Sequence, residues 1–405
     1  MNRPAREDSP PFAEFVTLMA MMMSLVALSI DAMLPALPAI ASELGSADVN
    51  DAQMVVSLLF LGLACGQLIY GPLSDSSGRK PAVYLGFVLF FIGSTMALLA
   101  TSLPVLLVGR YLQGLGLAGP RTLCLAIIRD QYAGRAMARV MSFIMTVFIL
   151  VPMAAPALGQ GILLMAGWRS IFGVIFALAF ITAAWFCLRQ PETLACEARV
   201  PFSLNRIAGA VAEVFTHRTS LGYTLAAGFV FSPFLGYLSS AQQLLQVQYG
   251  LGVLFPAYFA VLALSIGAAV FLNGKLVMHI GMRRLCASAL ITVTVISVPA
   301  LVLAYYTNGH PPFGWFLAYL ALTLFCVGIL FGNLNAMAME PLGHIAGVGA
   351  AVVGSLSTFI CVPFGIFIGR SYDGTVLPMM LGFVVFGVLT LGVMHWAGRG
   401  GDPLQ

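Results

Sequence analysis

Twelve apolar runs, each about twenty residues long, divide this sequence and constrain its fold more than any other feature. A helix rises about 1.5 Å per residue, so roughly 20 residues cross the hydrocarbon core of a bilayer. Lipid offers the main chain no hydrogen-bond partner, and a helix satisfies its main-chain groups within one segment. The runs therefore predict an all-α membrane protein with twelve spans.

The predicted spans form two groups of six, separated by a long charged segment. The first group covers 14–37, 52–72, 81–102, 104–127, 139–165 and 168–188. The second group covers 221–243, 252–274, 285–306, 314–338, 346–369 and 376–396. This grouping predicts two six-helix halves, 14–188 and 221–396, a cytoplasmic linker at 189–220, and cytoplasmic segments at 1–13 and 397–405.

The predicted linker contains apolar residues at helical spacing. They are Leu204, Ile207, Val211, Val214 and Phe215. This spacing predicts a short amphipathic helix, which either lies on the membrane surface or serves as a tether between the halves.

The composition excludes a soluble enzyme. Only 8% of the residues are charged and 60% are apolar, whereas a soluble domain averages about 25% charged residues. The sequence contains no His/Cys/Asp cluster, nucleophile motif or phosphate-binding loop, so we predict no catalytic residue, metal site or cofactor. The net charge of +4 comes from scattered basic residues, which argues against a nucleic-acid partner. The predicted partners are the lipid bilayer and a small-molecule substrate.

The basic residues also predict the orientation of the chain in the membrane. With both termini in the cytoplasm, fifteen of the 19 Lys and Arg residues fall on the cytoplasmic side. Arg169 and Arg370 fall outside, and Arg110 and Arg121 fall within a span. Since cytoplasmic loops carry an excess of basic residues, we predict cytoplasmic termini.

An internal repeat relates the two halves. Gly71 and Gly78 follow the second span, and Gly274 and Gly281 follow the eighth, with the same spacing and a basic pair after each second glycine. Equivalent loops in two six-helix halves predict parallel repeats around a central cavity.

Three charged residues lie well inside predicted spans: Asp31, Arg110 and Arg121. A charge near the bilayer centre costs about 2.5–3.5 kcal/mol on insertion scales, so such residues face the interior of the bundle and find partners. Asp31 and Arg110 each lie about six residues from the outer end of a span, roughly 9 Å deep. Their equal depth and opposite charge predict a direct or water-bridged pair.

Two interpretations of that pair remain open. In the first, it is a static link between spans 1 and 4. In the second, Asp31 takes up and releases a proton as the protein changes conformation. Arginine stays protonated in proteins, so Asp31 is the predicted proton carrier and Arg110 its modulator.

Arg121 also has two interpretations: it attracts an anionic group of the substrate, or it binds main-chain carbonyls at helix ends. The remaining candidates for a substrate cavity are amide and aromatic side chains within spans. They are Gln113, Phe143, Phe234, Tyr237 and Asn335. Such walls suit lipophilic or cationic ligands, but ordinary helix packing uses the same residue types.

Four motifs resemble those of the major facilitator superfamily. They are Gly71-Pro-Leu-Ser-Asp75-Ser-Ser-Gly78-Arg79-Lys80, Arg110-Tyr-Leu-Gln113-Gly114-Leu-Gly116, Pro152-Met-Ala-Ala-Pro156-Ala-Leu-Gly159 and Pro191-Glu192-Thr193. The resemblance implies the superfamily fold, twelve helices in two halves around a central cavity. It also implies proton transfer at Arg110, an antiporter helix motif at Pro152, Pro156 and Gly159, and a conformational latch in Gly71–Lys80. In that latch Asp75 would cap the N-terminus of the eleventh predicted span, 346–369.

Within the superfamily, the chain is similar to the bicyclomycin/chloramphenicol-resistance (Bcr/CflA) drug:proton antiporters. The similarity rests on residues 31–38, 128–142 and 340–347. It departs from the family at Met33, where relatives often have Tyr, and at Arg121, where many have a small residue; both are candidate cavity residues.

This second resemblance implies a function for the chain. It implies proton-coupled efflux of small amphipathic or drug-like molecules, including antibiotics, by alternating access. The alternative is a transporter of the same fold for one metabolite, exported or imported. We expect a monomer in the bacterial inner membrane, with a proton gradient as its energy source.

Overall fold

A computed structural model of the chain describes residues 10–46 and 48–398. Most of the predicted terminal segments, including Arg3, Arg6 and Arg399, lies outside the described residues. Within the described ranges the regular elements are all helical. This confirms the all-α class predicted from the apolar runs.

Twelve long helices of 20 to 33 residues and two shorter ones make up the described part of the chain. The first seven are α1 Phe12–Asp31, α2 Leu37–Glu43, α3 Met54–Ser77, α4 Arg79–Leu98, α5 Leu103–Gln131, α6 Gly134–Ala166 and α7 Trp168–Arg189. The last seven are α8 Leu204–Thr216, α9 Arg218–Gln242, α10 Phe255–Ile280, α11 Met282–Tyr306, α12 Phe313–Met339, α13 Ala346–Arg370 and α14 Leu377–Gly398. The twelve long helices correspond to the twelve predicted spans, so the chain is a multi-pass membrane protein.

The first span departs from the prediction of one continuous segment at 14–37. Helix α1 ends at Asp31, a 3₁₀ turn covers Leu34–Ala36, and α2 begins at Leu37. Pro35 lies at the start of that turn. It lacks an N–H group and its ring clashes with the carbonyl four residues earlier, which favours a break in the α-helix at this point. Asp31 is therefore the last residue of a helix rather than a mid-helix residue.

The described chain divides into two compact units. The first contains residues up to Ile40 and Leu58–Leu204, and the second contains Ala41–Ser57 and the chain from Asn205 onward. The break after Leu204 falls inside the segment predicted as a linker. Helix α3 begins in the second unit and continues into the first, because its opening residues group with Ala41–Ser57.

Close contact between α4 and α5 organises the first unit. A Cβ atom added at Gly93 would lie 2.6 Å from the main-chain N of Gln113, and one at Gly116 would lie 2.4 Å from that of Phe90. Small residues let the backbones of membrane helices approach each other this closely. The contact holds Arg110 and Gln113 against α4.

In the second unit, α9 packs against α13 and α14, and α12 packs against α9 and α10. A π-helical turn, Gln243–Gln248, extends the end of α9. The predicted amphipathic helix in the linker is α8. It buries Ala210 and Val214 and leaves Leu204 70% and Phe215 55% exposed.

Candidate functional site

Arg110 lies fully buried at the meeting point of three helices of the first unit. Its Nη1 atom donates to Oε1 of Gln113 at 2.8 Å, and its Nη2 atom donates to the carbonyl oxygen of Ser29 at 2.8 Å. Gln113 in turn donates from Nε2 to Oγ of Ser94 on α4 at 2.9 Å. The guanidinium therefore links α1, α4 and α5 through one continuous hydrogen-bond network.

Asp31 lies two residues after Ser29, which belongs to this network, but does not bond to Arg110 in the described structure. Its side chain is buried, with 6% of the residue exposed, and the predicted direct ion pair with Arg110 is not formed in the described structure. The break after Asp31 explains the difference, since the last carbonyls of a helix lack partners within it. Arg110 uses one of these, the carbonyl of Ser29, and places its positive charge at the C-terminal end of α1, where a cation is favourable.

Helix α6 contacts α1 beside Asp31. A Cβ atom added at Gly159 would lie only 1.9 Å from the carbonyl oxygen of Ala32. Pro152 and Pro156 both lie inside α6, which continues without a break to Ala166. The predicted antiporter helix motif thus contacts the residue that follows Asp31.

The segment Gly71–Lys80, predicted as a loop, is helical on both sides of Gly78 and forms a buried charge network at the other end of the first unit. Arg79, which is 5% exposed, contacts Oδ1 of Asp75 at 2.7 Å through Nη1 and Oδ2 of Asp130 at 2.9 Å through Nε. Its Nη1 atom also donates to Oγ of Ser74, which itself donates to the carbonyl of Gly71. Two carboxylates therefore offset one buried guanidinium.

Glu192, which follows α7 in the sequence, completes this network. Gly78, at the start of α4, has a φ of 104° and no side chain to cap the helix. The carboxylate of Glu192 accepts instead, from the main-chain N of Arg79 and of Lys80, both at 3.0 Å. Two N–H groups without a partner in the helix are satisfied by one anion at a helix N-terminus, where an anion is favourable.

In the second half, the segment around Gly281 has a backbone conformation similar to that at Gly78 but lacks the same charged side chains. Gly281 precedes α11 with a φ of 83° and a ψ of 149°, close to the 104° and 162° of Gly78. The nearest ion pair joins Arg283 to Glu340 at 3.6 Å. Met278 stands at the position of Asp75 in the repeat. The predicted cap of Asp75 on the eleventh span, which corresponds to α13, stays a prediction.

The other predicted cavity residues differ in accessibility. Met33 and Tyr237 are buried, and Gln113 is occupied by the network around Arg110. Phe143 is 49% exposed and packs edge-on against Phe12. In the second unit, Phe234 packs between Phe231 and Tyr237, and Asn335 donates to the carbonyl of Phe331. Met33, Gln113 and Tyr237 therefore do not line an accessible surface in this structure.

Arg121, unlike Asp31 and Arg110, is not buried. It lies on α5 with its side chain partly exposed. In the described part of the chain it makes no hydrogen bond or ion pair, so the predicted bonding to main-chain carbonyls is not formed.

A polar cluster in the second unit has no counterpart among the sequence predictions. The Asp51 carboxylate meets Nη2 of Arg370 at 2.7 Å, and Asn50 donates to the carbonyl of Tyr372 at 2.9 Å. Gln243, in the π-helical turn, bonds both Asn50 and Gln53.

The roles of Asp130 and Glu192 in the first unit were not predicted either, although the Pro191-Glu192-Thr193 motif and the uncapped Gly78 were available as signals. Among the described residues, no group of three or more His, Cys, Asp or Glu side chains could hold a metal ion.

Comparison with known proteins decides the family. The model of the Major Facilitator Superfamily matches residues 19–365. The chain belongs to the major facilitator superfamily. It is 30% identical to the uncharacterized MFS-type transporter YdgK of Bacillus subtilis (strain 168), over 94% of each chain. It is 29% identical to the bicyclomycin resistance protein homolog of Haemophilus influenzae, over 90% of this chain and 91% of that protein.

A solved structure shares the superfamily fold. The bacterial homolog to the human lysosomal transporter Spinster aligns with a TM-score of 0.74 over 98% of this chain and 100% of its own, at 17% identity. The predicted superfamily and the resemblance to bicyclomycin-resistance transporters are both confirmed. A transporter of this superfamily is not an enzyme.

Proposed function

We propose that this protein exports small amphipathic or drug-like molecules in exchange for protons, by alternating access. The similarity to a bicyclomycin resistance protein homolog along nine-tenths of the chain supports drug efflux. The arrangement around Asp31 supports the proton coupling.

The observation that carries the proposal is a buried carboxyl group at a break in a span. Asp31 ends α1, is 6% exposed, and has neither an ion pair nor a hydrogen bond in the described structure. Burying an unpaired charge is costly, and a carboxyl group avoids that cost by holding a proton. A conformation that admits water to Asp31 removes the cost and allows the proton to leave.

Two contacts next to Asp31 support a change in its surroundings when the helices move. Arg110 binds the carbonyl of Ser29, two residues before Asp31, and Gly159 of α6 contacts Ala32, one residue after it. A shift of α1 against α5 therefore changes the distance from Asp31 to the Arg110 guanidinium, and a shift against α6 changes the packing beside Asp31. Because the guanidinium charge favours the ionised carboxylate when it is near, the shift couples helix movement to proton binding.

We further propose that the protein works as a monomer in the bacterial inner membrane with both termini in the cytoplasm. The bacterial relatives and the unequal distribution of basic residues support this location and orientation.

The test compares Asp31→Asn with the wild type in inside-out vesicles that carry an imposed pH gradient. We expect the variant to bind substrate but to lose uphill, gradient-driven transport, because asparagine cannot carry a proton. Asp373→Asn, an exposed loop carboxylate, is the matched control and keeps wild-type transport. Gradient-driven transport by Asp31→Asn at the wild-type rate would refute the proton-carrier role.

A further inference from the structure

Arg121 lies deep in a membrane span without a partner in the described chain. It is ten residues before the end of α5 at Gln131, which places it roughly 15 Å from that end. It makes no hydrogen bond or ion pair with the residues that the structure describes, whereas Arg110 on the same helix is bonded to two groups. An arginine at such a depth faces the interior of a bundle or water rather than lipid.

The exposed side chains on one face of α5 indicate a route by which a ligand could reach Arg121. Leu117, one turn before it, is buried, whereas Leu125, one turn after it, is 42% exposed, and Arg129 is exposed a turn further. Residues four apart lie on the same face of a helix. An accessible strip therefore runs along α5 from its end near Gln131 and stops at Arg121.

Helix α1 has an apolar side chain at the same level as Arg121. The two helices run antiparallel, with Sγ of Cys124 bonded to the carbonyl of Met19 and Arg110 bonded to that of Ser29. By this register Arg121 lies level with Met21, which is partly exposed while Met22 and Met23 are buried. A cation at the inner end of an accessible strip, level with a polarizable thioether on the adjacent helix, suits a ligand that is both anionic and apolar.

We propose that Arg121 binds the carboxylate of an amphipathic organic anion, and that such anions form a substrate class of this transporter. A guanidinium presents its donors in a planar fork that matches a carboxylate with two parallel hydrogen bonds. Here the fork is not committed to a protein group in the described chain, so binding an anion breaks no existing bond. The inference rests on the proposed export function and names the substrates that it acts on.

The test uses a pair of ligands that differ only in charge, N-dansyl-phenylalanine and N-dansyl-phenylalaninamide, with purified full-length protein in detergent. Dansyl fluorescence gives the dissociation constants at a pH where the carboxylate is ionised. Arg121→Gln removes the cation, Arg121→Lys keeps the charge but loses the planar fork, and Arg129→Gln removes an exposed cation from the same helix.

We expect the wild type to prefer the carboxylate. Arg121→Gln weakens carboxylate binding roughly tenfold to a hundredfold, since hydrogen bonds to charged groups have that effect, and leaves amide binding within about threefold. Arg121→Lys retains part of the preference, and its result carries the test if Arg121→Gln does not fold. Arg129→Gln weakens carboxylate binding less than about fivefold, because an exposed, screened charge contributes little.

Three results overturn the inference: a wild type without preference for the carboxylate, equal losses for both ligands in Arg121→Gln, or an equal effect of Arg129→Gln. Gradient-driven efflux of the uncharged amide separates this failure from that of the proposed function. If the wild type exports the amide while the carboxylate preference is missing, proton-coupled export stands and the role of Arg121 falls.

Discussion

Replacing Gly159 with alanine tests how closely α6 must approach α1 beside Asp31. The added Cβ atom would lie 1.9 Å from the carbonyl oxygen, 2.8 Å from the carbonyl carbon and 3.0 Å from the Cα atom of Ala32. All three are main-chain atoms, so no side-chain rotation relieves the overlap. Ordinary contact begins near 3.4 Å, and the two helices must therefore separate by about 1.5 Å at this point.

Gly161 provides a matched control two residues further along the same helix. A Cβ atom added there has no heavy atom within 4 Å. Overpacking costs about 1–3 kcal/mol, so Gly159→Ala destabilises the protein by that amount. Gly161→Ala leaves the stability unchanged or raises it by up to about 1 kcal/mol, because alanine is the better helix former.

The assay is thermal unfolding of both variants in detergent, followed by gradient-driven transport in vesicles. At roughly 2–4 °C per kcal/mol, a cost of about 1–3 kcal/mol places the melting temperature of Gly159→Ala about 2–12 °C below that of Gly161→Ala. We also expect slower transport by Gly159→Ala, since its contact lies next to Asp31. Melting temperatures within about 2 °C of each other would refute the argument that α6 requires glycine here.

Two further perturbations test networks that the sequence did not reveal. Glu192→Gln replaces one of two accepting oxygens with a donating NH₂ group that faces a main-chain N–H of α4, so we expect a loss of about 1–3 kcal/mol in thermal unfolding; the exposed Glu197→Gln should change nothing, and equal melting of the two variants would contradict the capping role. In a double-mutant cycle of Asp51→Asn and Arg370→Gln, the partly exposed pair should show a coupling of about 0.2–1 kcal/mol that falls with added salt. A salt-independent coupling would show that something other than the charges joins these residues.

The sequence predicted the fold because an apolar run in lipid satisfies its main-chain hydrogen bonds by forming a helix. It also predicted the related loops at Gly78 and Gly281, since a helix start with positive φ requires glycine in both halves. These features follow from local chemistry, which a single sequence contains.

The contacts around Asp31 could not be derived in the same way. Helical rise gave its depth and that of Arg110, but not the direction of either side chain. The guanidinium bonds a main-chain carbonyl that became available because α1 ends before Pro35. A sequence shows which side chains could pair, but it does not show which main-chain carbonyls at helix ends are available as acceptors.

Long-range pairs were missed for a related reason. Asp51 and Arg370 lie 319 residues apart, and Arg79 and Asp130 lie 51 apart. Composition also could not separate an aromatic residue on an accessible wall from one in the packed interior. Tyr237 and Phe143 have similar surroundings in the sequence but are 2% and 49% exposed.

The passage of α3 from one unit into the other bears on any attempt to produce the two halves as separate polypeptides. A chain cut between Leu204 and Asn205 would leave Ala41–Ser57 on the first fragment, although this stretch groups with the second. The second fragment alone would then expose Arg370 and Gln243 without Asp51 and Asn50, the groups that bind them. Reassembly of such fragments would have to restore these polar bonds, and a fragment boundary chosen by sequence order alone would leave the second unit incomplete.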